Sequence, residues 1–151
     1  MTRTQRIVIS LIIRSDLGIL LLLRRRRYAE FSEGDGDTGA GIGLWELPGG
    51  GLGFGETPAR AGVRETLEET SILLDERKLK LTACCAYTLE TATCLSHRIH
   101  VIYETRLSTP QQIKCSDEHI SHKWVHDTEA LQELPMVAEI RNFVVSILHE
   151  Q

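Results

Sequence analysis

The stretch that most constrains the fold of this chain is residues 50–72, which reads GGLGFGETPARAGVRETLEETSI. Closely spaced glycines open it, and they permit a tight turn before Thr57 and Pro58. Threonine is a good residue for the N-cap of a helix, and proline suits the first helical position. The sequence therefore predicts a glycine-rich turn that leads directly into a helix.

Three glutamates lie on one face of this predicted helix. Glu65, Glu68 and Glu69 stand at positions i, i+3 and i+4, which are neighbours on a helix surface. Carboxylates this close repel each other, but a divalent cation turns the repulsion into ligation, and hard oxygen ligands suit Mg²⁺ or Mn²⁺. The alternative is a solvated acidic helix face, which needs no metal.

The spacing of the charged residues and glycines favours the metal site, because it resembles the Nudix box, G-x5-E-x7-R-E-U-x-E-E-x-G-U, where U is a bulky aliphatic residue. At average residue usage, such a match arises by chance in a chain of this length with a probability on the order of one in 10⁵. Thr66 and Ser71 depart from the pattern, and neither position supplies a metal ligand. The chain is thus identified as a member of the MutT-like Nudix hydrolase family. The matching positions are Gly50, Glu56, Arg64, Glu65, Glu68 and Glu69.

The resemblance implies an α/β (α+β) Nudix fold, in which a mixed β-sheet is sandwiched between helices and the box forms a loop–helix–loop catalytic motif. Hydrophobic alternation and turn residues predict the same kind of architecture. We expect one Nudix hydrolase domain over residues 1–151, with a turn at residues 48–50. The predicted strands cover residues 6–14, 19–25, 44–47, 79–88, 97–107 and 121–126, and the predicted helices after the box lie near residues 128–133 and 136–149.

The resemblance also implies which residues hold metal. Glu65, Glu68, Glu69 and the Gly50 carbonyl are the expected ligands of Mg²⁺, for which Mn²⁺ is an expected substitute. MutT-like members carry a further acid that reaches the metal site ahead of a tryptophan. In this sequence that acid is Glu118, although an exposed loop carboxylate is the alternative.

Other roles follow from the same resemblance. Arg64 is expected to orient the carboxylates by charge-assisted hydrogen bonds, with Glu56 supporting the site. The general base stays open among Glu65, Glu68 and Glu118. The expected catalytic residues are therefore Arg64, Glu65, Glu68, Glu69 and Glu118.

Substrate contacts are expected from two further segments. Four arginines, residues 24–27, follow the second predicted strand, where alternation places Arg24 and Arg25 on opposite faces. In MutT-like relatives an arginine at this strand end contacts substrate phosphate, and Arg24 or Arg25 matches it. Gly49 and Gly50 are the other expected substrate-binding residues. A solvated strand end is the alternative for at least two of the four arginines.

The implied reaction is hydrolysis of a phosphoanhydride bond in a nucleoside diphosphate derivative, and a nucleoside triphosphate or modified nucleotide, giving the monophosphate and pyrophosphate, is favoured. Dinucleoside polyphosphates, to which Tyr87 is a slight pointer, and nucleotide sugars are alternatives. An ADP-ribose hydrolase is less favoured, because no proline occurs between Pro58 and Pro110. A non-catalytic nucleotide-binding module is the alternative from a different class, but all box carboxylates are present.

Composition narrows the partners and the compartment. Net charge is −4, which does not favour a nucleic-acid polymer. The apolar run near the start breaks at Arg14, and no segment reaches the length of a membrane span, so neither a signal peptide nor a membrane partner is expected. We expect a cytoplasmic protein, monomeric or homodimeric. Its cysteines lack a metal-type spacing and are expected to be buried thiols: Cys84, Cys85, Cys94 and Cys115.

Glycine density predicts a mobile loop ahead of the box. The segment EGDGDTGAGIG contains too few apolar residues to bury much surface. Residues 34–43 are expected either to close over bound nucleotide as a lid or to form an idle surface insertion. The six histidines of the chain show no zinc spacing, so structural or surface roles are expected for them.

Overall fold

The computed structural model describes residues 1–35, 40–109 and 111–150. The Nudix box helix and the predicted strands are present, with bounds that shift by a few residues. In the described residues the elements are β1 (Thr2–Ser15), β2 (Gly18–Arg24), β3 (Trp45–Glu46), β4 (Gly49–Gly51), α1 (Pro58–Thr70), β5 (Lys80–Glu90), β6 (Cys94–Arg106), β7 (His119–Val125), α2 (Thr128–Gln132) and α3 (Ala138–His149), with a 3₁₀ turn at Glu76–Lys78.

The strands form a mixed sheet in the order β3-β2-β1-β6-β5, with β4 also pairing with β1 and β7 with β2. β1 and β6 are parallel from the pair Thr2 and Cys94 to the pair Arg14 and Arg106. The other pairs are antiparallel. This long parallel pairing places residues about 90 positions apart side by side, and it assembles much of the site described below.

Alternation along β1 and β2 sends apolar side chains to both faces of the sheet. Ile12 and Ile19 pack with Val144 of α3 on one face. Leu11 and its neighbours on the other face form a second core on the side of α1. These two cores confirm the predicted mixed sheet sandwiched between helices. The second core contains Leu11, Ile13, Leu20, Leu22, Ile72 and Leu74.

The ends of α1 explain how the box tolerates its departures from the pattern. The Thr57 hydroxyl accepts a hydrogen bond from the Arg60 N–H at 3.3 Å, as expected of an N-cap. Ser71 itself adopts the left-handed conformation (φ 63°), and its N–H donates to the Leu67 carbonyl at 3.0 Å. A non-glycine residue in this conformation costs about 1 kcal/mol, so the helix ends normally without the family's glycine.

The turn predicted at residues 48–50 is only partly correct. Residues 49–51 form a short strand paired with β1 instead of only a turn, because Gly49, Gly50 and Gly51 oppose Ser10, Ile9 and Val8. Hydrogen bonding to β1 thus outweighs the low strand propensity of three glycines.

Burial also differs from expectation. Cys84 is exposed, since β5 is an edge strand, although Cys94 is buried and all four cysteines are free. Asp35 and Ala40 are both buried, with Asp35 accepting a hydrogen bond from the Ser32 N–H at 2.7 Å. Residues 36–39, the centre of the predicted lid, lie outside the described residues. Among the described residues, no helix has the length and apolar character needed to cross a membrane.

Candidate active site

The three glutamates of α1 differ sharply in burial. The side chain of Glu68 is 58% exposed, that of Glu65 is 16% exposed and that of Glu69 is 2% exposed. The alternative of a solvated acidic helix face therefore does not hold for Glu69. The helix face that carries these residues is turned toward the sheet and β4. Within about one turn of helix, the side chains therefore go from mostly exposed at Glu68 to buried at Glu69.

Arg64 links the exposed part of this face, as the resemblance implies. Its guanidinium contacts Glu56 at 2.6 Å, Glu65 at 2.9 Å and Glu68 at 3.4 Å. It also donates to the Gly51 carbonyl at 3.2 Å, which joins α1 to β4. The hydrogen bond from Arg64, together with one from the Gly53 N–H, holds the pKa of Glu56 below its ordinary value.

Glycine is required where β4 passes α1. A Cβ at Gly50 would overlap the Glu65 carboxyl group, and a Cβ at Gly49 would overlap the Ile9 carbonyl. Gly49 also has a φ of 151°, which L residues rarely adopt. The backbone of β4 therefore lies directly against the Glu65 carboxylate, whose pKa is raised by burial.

Glu69 is a buried carboxylate with little compensation. Its Oε2 lies 3.4 Å from the Gly49 N–H, which donates to it, and 4.0 Å from His119 Nδ1. Among the described residues, no arginine or lysine forms an ion pair with it. Burial raises the pKa of Glu69 well above its ordinary value, and the charges of Glu46 and Glu65 raise it further.

Behind Glu69 lies a hydrogen-bonded group that the sequence did not indicate. Glu46 Oε1 accepts from His119 Nε2 at 2.9 Å and from Arg24 Nη1 at 3.0 Å. Tyr28 Oη donates to the other Glu46 oxygen at 3.0 Å. Burial alone would raise the pKa of Glu46, but His119 and Arg24 hold it at about 2. Glu46 is therefore an anion that fixes the position of Arg24.

A second buried ion cluster was also missed. Glu30 is paired with Arg6 at 3.0 Å and with Arg98, and it accepts a hydrogen bond from Ser96 at 2.9 Å. The guanidinium carbons of Arg24 and Arg98 lie 4.5 and 4.0 Å from the centre of the Tyr28 ring. The signal available in the sequence was an arginine within each of two predicted strands. These are Arg6 and Arg98, which the structure shows to be register partners.

These groups enclose one cavity of about 160 Å³. The cavity is lined by Glu65, Glu118 and residues 49–51. Glu118, the further acid that the resemblance predicted, therefore lies at the same cavity as residues of the box. Arg24 also lines the cavity, whereas the Arg25 side chain is exposed. The backbone N–H of Arg25 donates to the Glu118 carbonyl at 2.7 Å. Further lining residues are Arg6, Ser10, Tyr28, Trp45, Glu46, Tyr87, Arg98 and His100.

The residues fit a hard divalent cation. Among the described residues, no three carboxylate, imidazole or thiolate groups already converge as metal ligands, and Arg64 engages Glu65 and Glu68 instead. Three observations nevertheless suit a cation. The available donors are carboxylate oxygens. The buried Glu69 has no arginine or lysine partner among the described residues, and the Gly50 backbone lies directly against the Glu65 carboxyl group. His119 Nδ1, beside Glu69, is also buried and has no hydrogen-bond partner in the part of the chain that the structure describes.

Comparisons with known proteins agree with this geometry. The model of the NUDIX domain matches residues 3–146. No curated protein matches the chain. Among solved structures, the MutT protein of Methanosarcina mazei is 21% identical, with a TM-score of 0.68 over 99% of this chain and 96% of that chain. The MutT NUDIX hydrolase of Burkholderia pseudomallei is 24% identical, with a TM-score of 0.68 over 93% and 95%.

A third similar structure is the dihydroneopterin triphosphate pyrophosphohydrolase of E. coli. It is 20% identical, with a TM-score of 0.69 over 96% of each chain. At these identities the three structures show a shared fold. Because the domain model covers nearly the whole chain and the fold agrees, this protein belongs to the NUDIX domain family and is a Nudix hydrolase.

Proposed function

We propose that the protein hydrolyses a phosphoanhydride bond of a nucleoside triphosphate, or of a modified nucleotide of that kind, to the monophosphate and pyrophosphate. The observation that carries the proposal is the cavity in which Glu65, Glu118 and the β4 backbone face Arg24. Carboxylates beside an arginine suit a polyphosphate that arrives with a divalent cation. The name of the E. coli relative describes the same reaction type on another triphosphate.

The residues that would hold Mg²⁺ are those implied by the box. Glu65, Glu68, Glu69 and the Gly50 carbonyl are the proposed ligands, with Glu118, which lines the cavity, as a further ligand. Mn²⁺ is expected to substitute for Mg²⁺. A bound cation of this type neutralises charge on the phosphate oxygens and lowers the pKa of a water ligand.

Arg24 is the proposed phosphate-binding arginine, in preference to Arg25. Its guanidinium lines the cavity and is held in place by Glu46 at 3.0 Å, so little side-chain entropy is lost when a phosphate binds. Gly49 and Gly50, which line the same cavity, are the other proposed substrate-binding residues.

Two carboxylates remain candidates for the general base, Glu65 and Glu118. Both line the cavity, whereas the Glu68 side chain is more than half exposed and contacts Arg64. Separate Glu65→Gln and Glu118→Gln variants distinguish them. The variant that lacks the base loses the acidic limb of the wild-type pH–rate profile, where protonation of the base lowers the rate, and loss of a metal ligand instead raises the Mg²⁺ requirement.

The test is a product analysis on a panel of nucleotides with Mg²⁺, with Mn²⁺ and with excess chelator. The panel contains nucleoside triphosphates, dinucleoside polyphosphates, nucleotide sugars and ADP-ribose. We expect pyrophosphate and a nucleoside monophosphate from triphosphates only when metal is present. Full activity in chelator would contradict the metal site, and cleavage restricted to dinucleoside polyphosphates or nucleotide sugars would contradict the substrate.

A further inference from the structure

The cavity contains a chain of three hydrogen-bonded side chains from three adjacent strands. Ser10 Oγ of β1 lies 2.8 Å from His100 Nδ1 of β6, and His100 Nε2 lies 2.9 Å from Tyr87 Oη of β5. The two rings stack with centroids 5.1 Å apart. All three residues are buried and line the cavity.

These three hydrogen-bonded side chains are electrically neutral at physiological pH. Burial lowers the pKa of His100 to about 4, and the nearby Arg98 cation lowers it as well. Burial raises the pKa of Tyr87 to about 12. Each group therefore carries one proton that can point in either direction along the chain, and the direction determines what Ser10 offers to a ligand.

Arg98 sets that direction. A guanidinium donates hydrogen bonds and cannot accept them. Arg98 is the cross-strand partner of Tyr87, so its positive charge favours the orientation in which the phenol oxygen turns its lone pairs toward the cation and its proton toward His100. Neutral His100 then carries its proton on Nδ1 and donates it to Ser10 Oγ.

The Ser10 proton is consequently free. Within the described residues, His100 is the only hydrogen-bond partner of the Ser10 hydroxyl. The hydroxyl proton points away from Nδ1, which already carries a hydrogen, and is available to the cavity. A ligand in the cavity beside Ser10 would therefore meet a hydroxyl donor whose neighbours in the hydrogen-bonded group are neutral. Such a donor suits an uncharged acceptor, for example a carbonyl oxygen.

We propose that Ser10 is a specificity-determining residue that donates a hydrogen bond to an oxo group on the base of the substrate. This inference rests on the proposed function, because it assumes that the phosphates occupy the charged part of the cavity near Glu65 and Arg24. An amino group at the same ring position cannot accept the Ser10 proton, which leaves that buried donor without a partner.

The test compares nucleotides that differ mainly in this group. Inosine and adenosine triphosphates form one pair, and uridine and cytidine triphosphates form another. In at least one pair we expect kcat/KM to favour the oxo member about tenfold or more in wild-type protein. In Ser10→Ala the ratio should fall toward one, chiefly because the oxo member loses activity.

Two further variants separate recognition from folding. Ser15→Ala is the matched control, since Ser15 is a buried serine on the same strand whose hydroxyl accepts from the Leu17 N–H at 3.1 Å, away from this cavity. It should keep the wild-type ratio. Tyr87→Phe removes the group that fixes the proton direction, so the oxo-to-amino ratio should fall.

Each outcome distinguishes the inference from the function on which it rests. An unchanged ratio in Ser10→Ala, equal losses on both members of each pair, or a wild-type preference for amino members overturns the role of Ser10 and leaves the hydrolase proposal standing. If wild-type protein cleaves none of the four triphosphates with Mg²⁺, the role of Ser10 is overturned, and the wider nucleotide panel decides the hydrolase proposal separately. Thermal melts of each variant confirm that the compared proteins are folded.

Discussion

The two parts of the cavity are built from opposite kinds of groups. Around Glu65 and Arg24 the side chains are ionised and held by salt bridges, as in the 3.0 Å pair of Arg24 with Glu46. Ser10, His100 and Tyr87 are instead neutral and hydrogen-bonded to one another, with the Arg98 cation nearby. Charged groups suit phosphates and metal, whereas neutral groups suit a base, because an uncompensated charge beside an uncharged base would be costly to bury. On the proposed function, the phosphates would bind at the charged part of the cavity and the base at the neutral part.

The largest expected effect is at Glu69. Glu69→Gln should lower kcat by two to three orders of magnitude, roughly 3–4 kcal/mol of transition-state stabilisation. The fold should survive, because burial already favours the uncharged form of this side chain. Steady-state kinetics with saturating Mg²⁺ measure the effect, and Glu76→Gln in the 3₁₀ turn is the control. Turnover near the wild-type value would show that Glu69 is not a ligand.

The buried ion cluster at Glu30 is expected to affect stability most. Glu30→Gln leaves Arg98 without its anion in a place where both side chains are almost fully buried, and breaking such a pair costs about 3 kcal/mol. Urea denaturation measures the loss. Asp117→Asn, which breaks the exposed 3.8 Å pair with Arg26, should change stability by less than about 0.5 kcal/mol. Equal effects of the two variants would contradict the burial argument.

The neutral part of the cavity predicts an acid-sensitive stability. The pKa of His100 is about 4 in the folded protein and about 6.5 in the unfolded chain, so below pH 6.5 the unfolded chain takes up a proton that the folded protein does not. Stability should therefore fall between pH 6.5 and 4, by on the order of 2 kcal/mol from this group. Denaturation curves at several pH values test this. The slope should flatten in His100→Asn, and an unchanged slope would mean that His100 is not buried as a neutral ring.

The smallest expected effect separates two neighbouring arginines. Arg24→Ala should lower kcat/KM about tenfold, or ~1.4 kcal/mol, because a phosphate contact in the cavity is lost. Arg25→Ala should stay within about twofold, since its side chain is exposed. Kinetics on the preferred triphosphate at fixed ionic strength give both values. The reverse order would place the phosphates elsewhere.

The box helix was predictable because its signals are local. The Thr57 cap, the proline that follows it and the glutamate spacing all act within one or two turns of helix, and α1 begins where they predict. The burial of Glu69 was not predictable from the same spacing. Neighbours at i and i+4 share a helix face, but the packing of the sheet decides how deeply each one lies.

The neutral part of the cavity could not be inferred from local sequence. Ser10 and His100 lie 90 positions apart and meet because β1 and β6 pair in parallel. The resemblance to the family predicted the sheet and the acid at Glu118, but not the histidine that follows it. His119 is buried against Glu46, where a surface or structural role was all that its spacing indicated.

The central claim is that the α1 carboxylates and Gly50 hold a divalent cation in this cavity, and direct metal binding tests it without relying on activity. Electron paramagnetic resonance titration with Mn²⁺, in the absence of nucleotide, measures the affinity of wild-type protein and of Glu65→Gln, with Glu129→Gln as a control outside the cavity. We predict binding by wild-type and control protein, and at least tenfold weaker binding by Glu65→Gln. Equal affinities in all three proteins, or no binding by any of them, would contradict the claim.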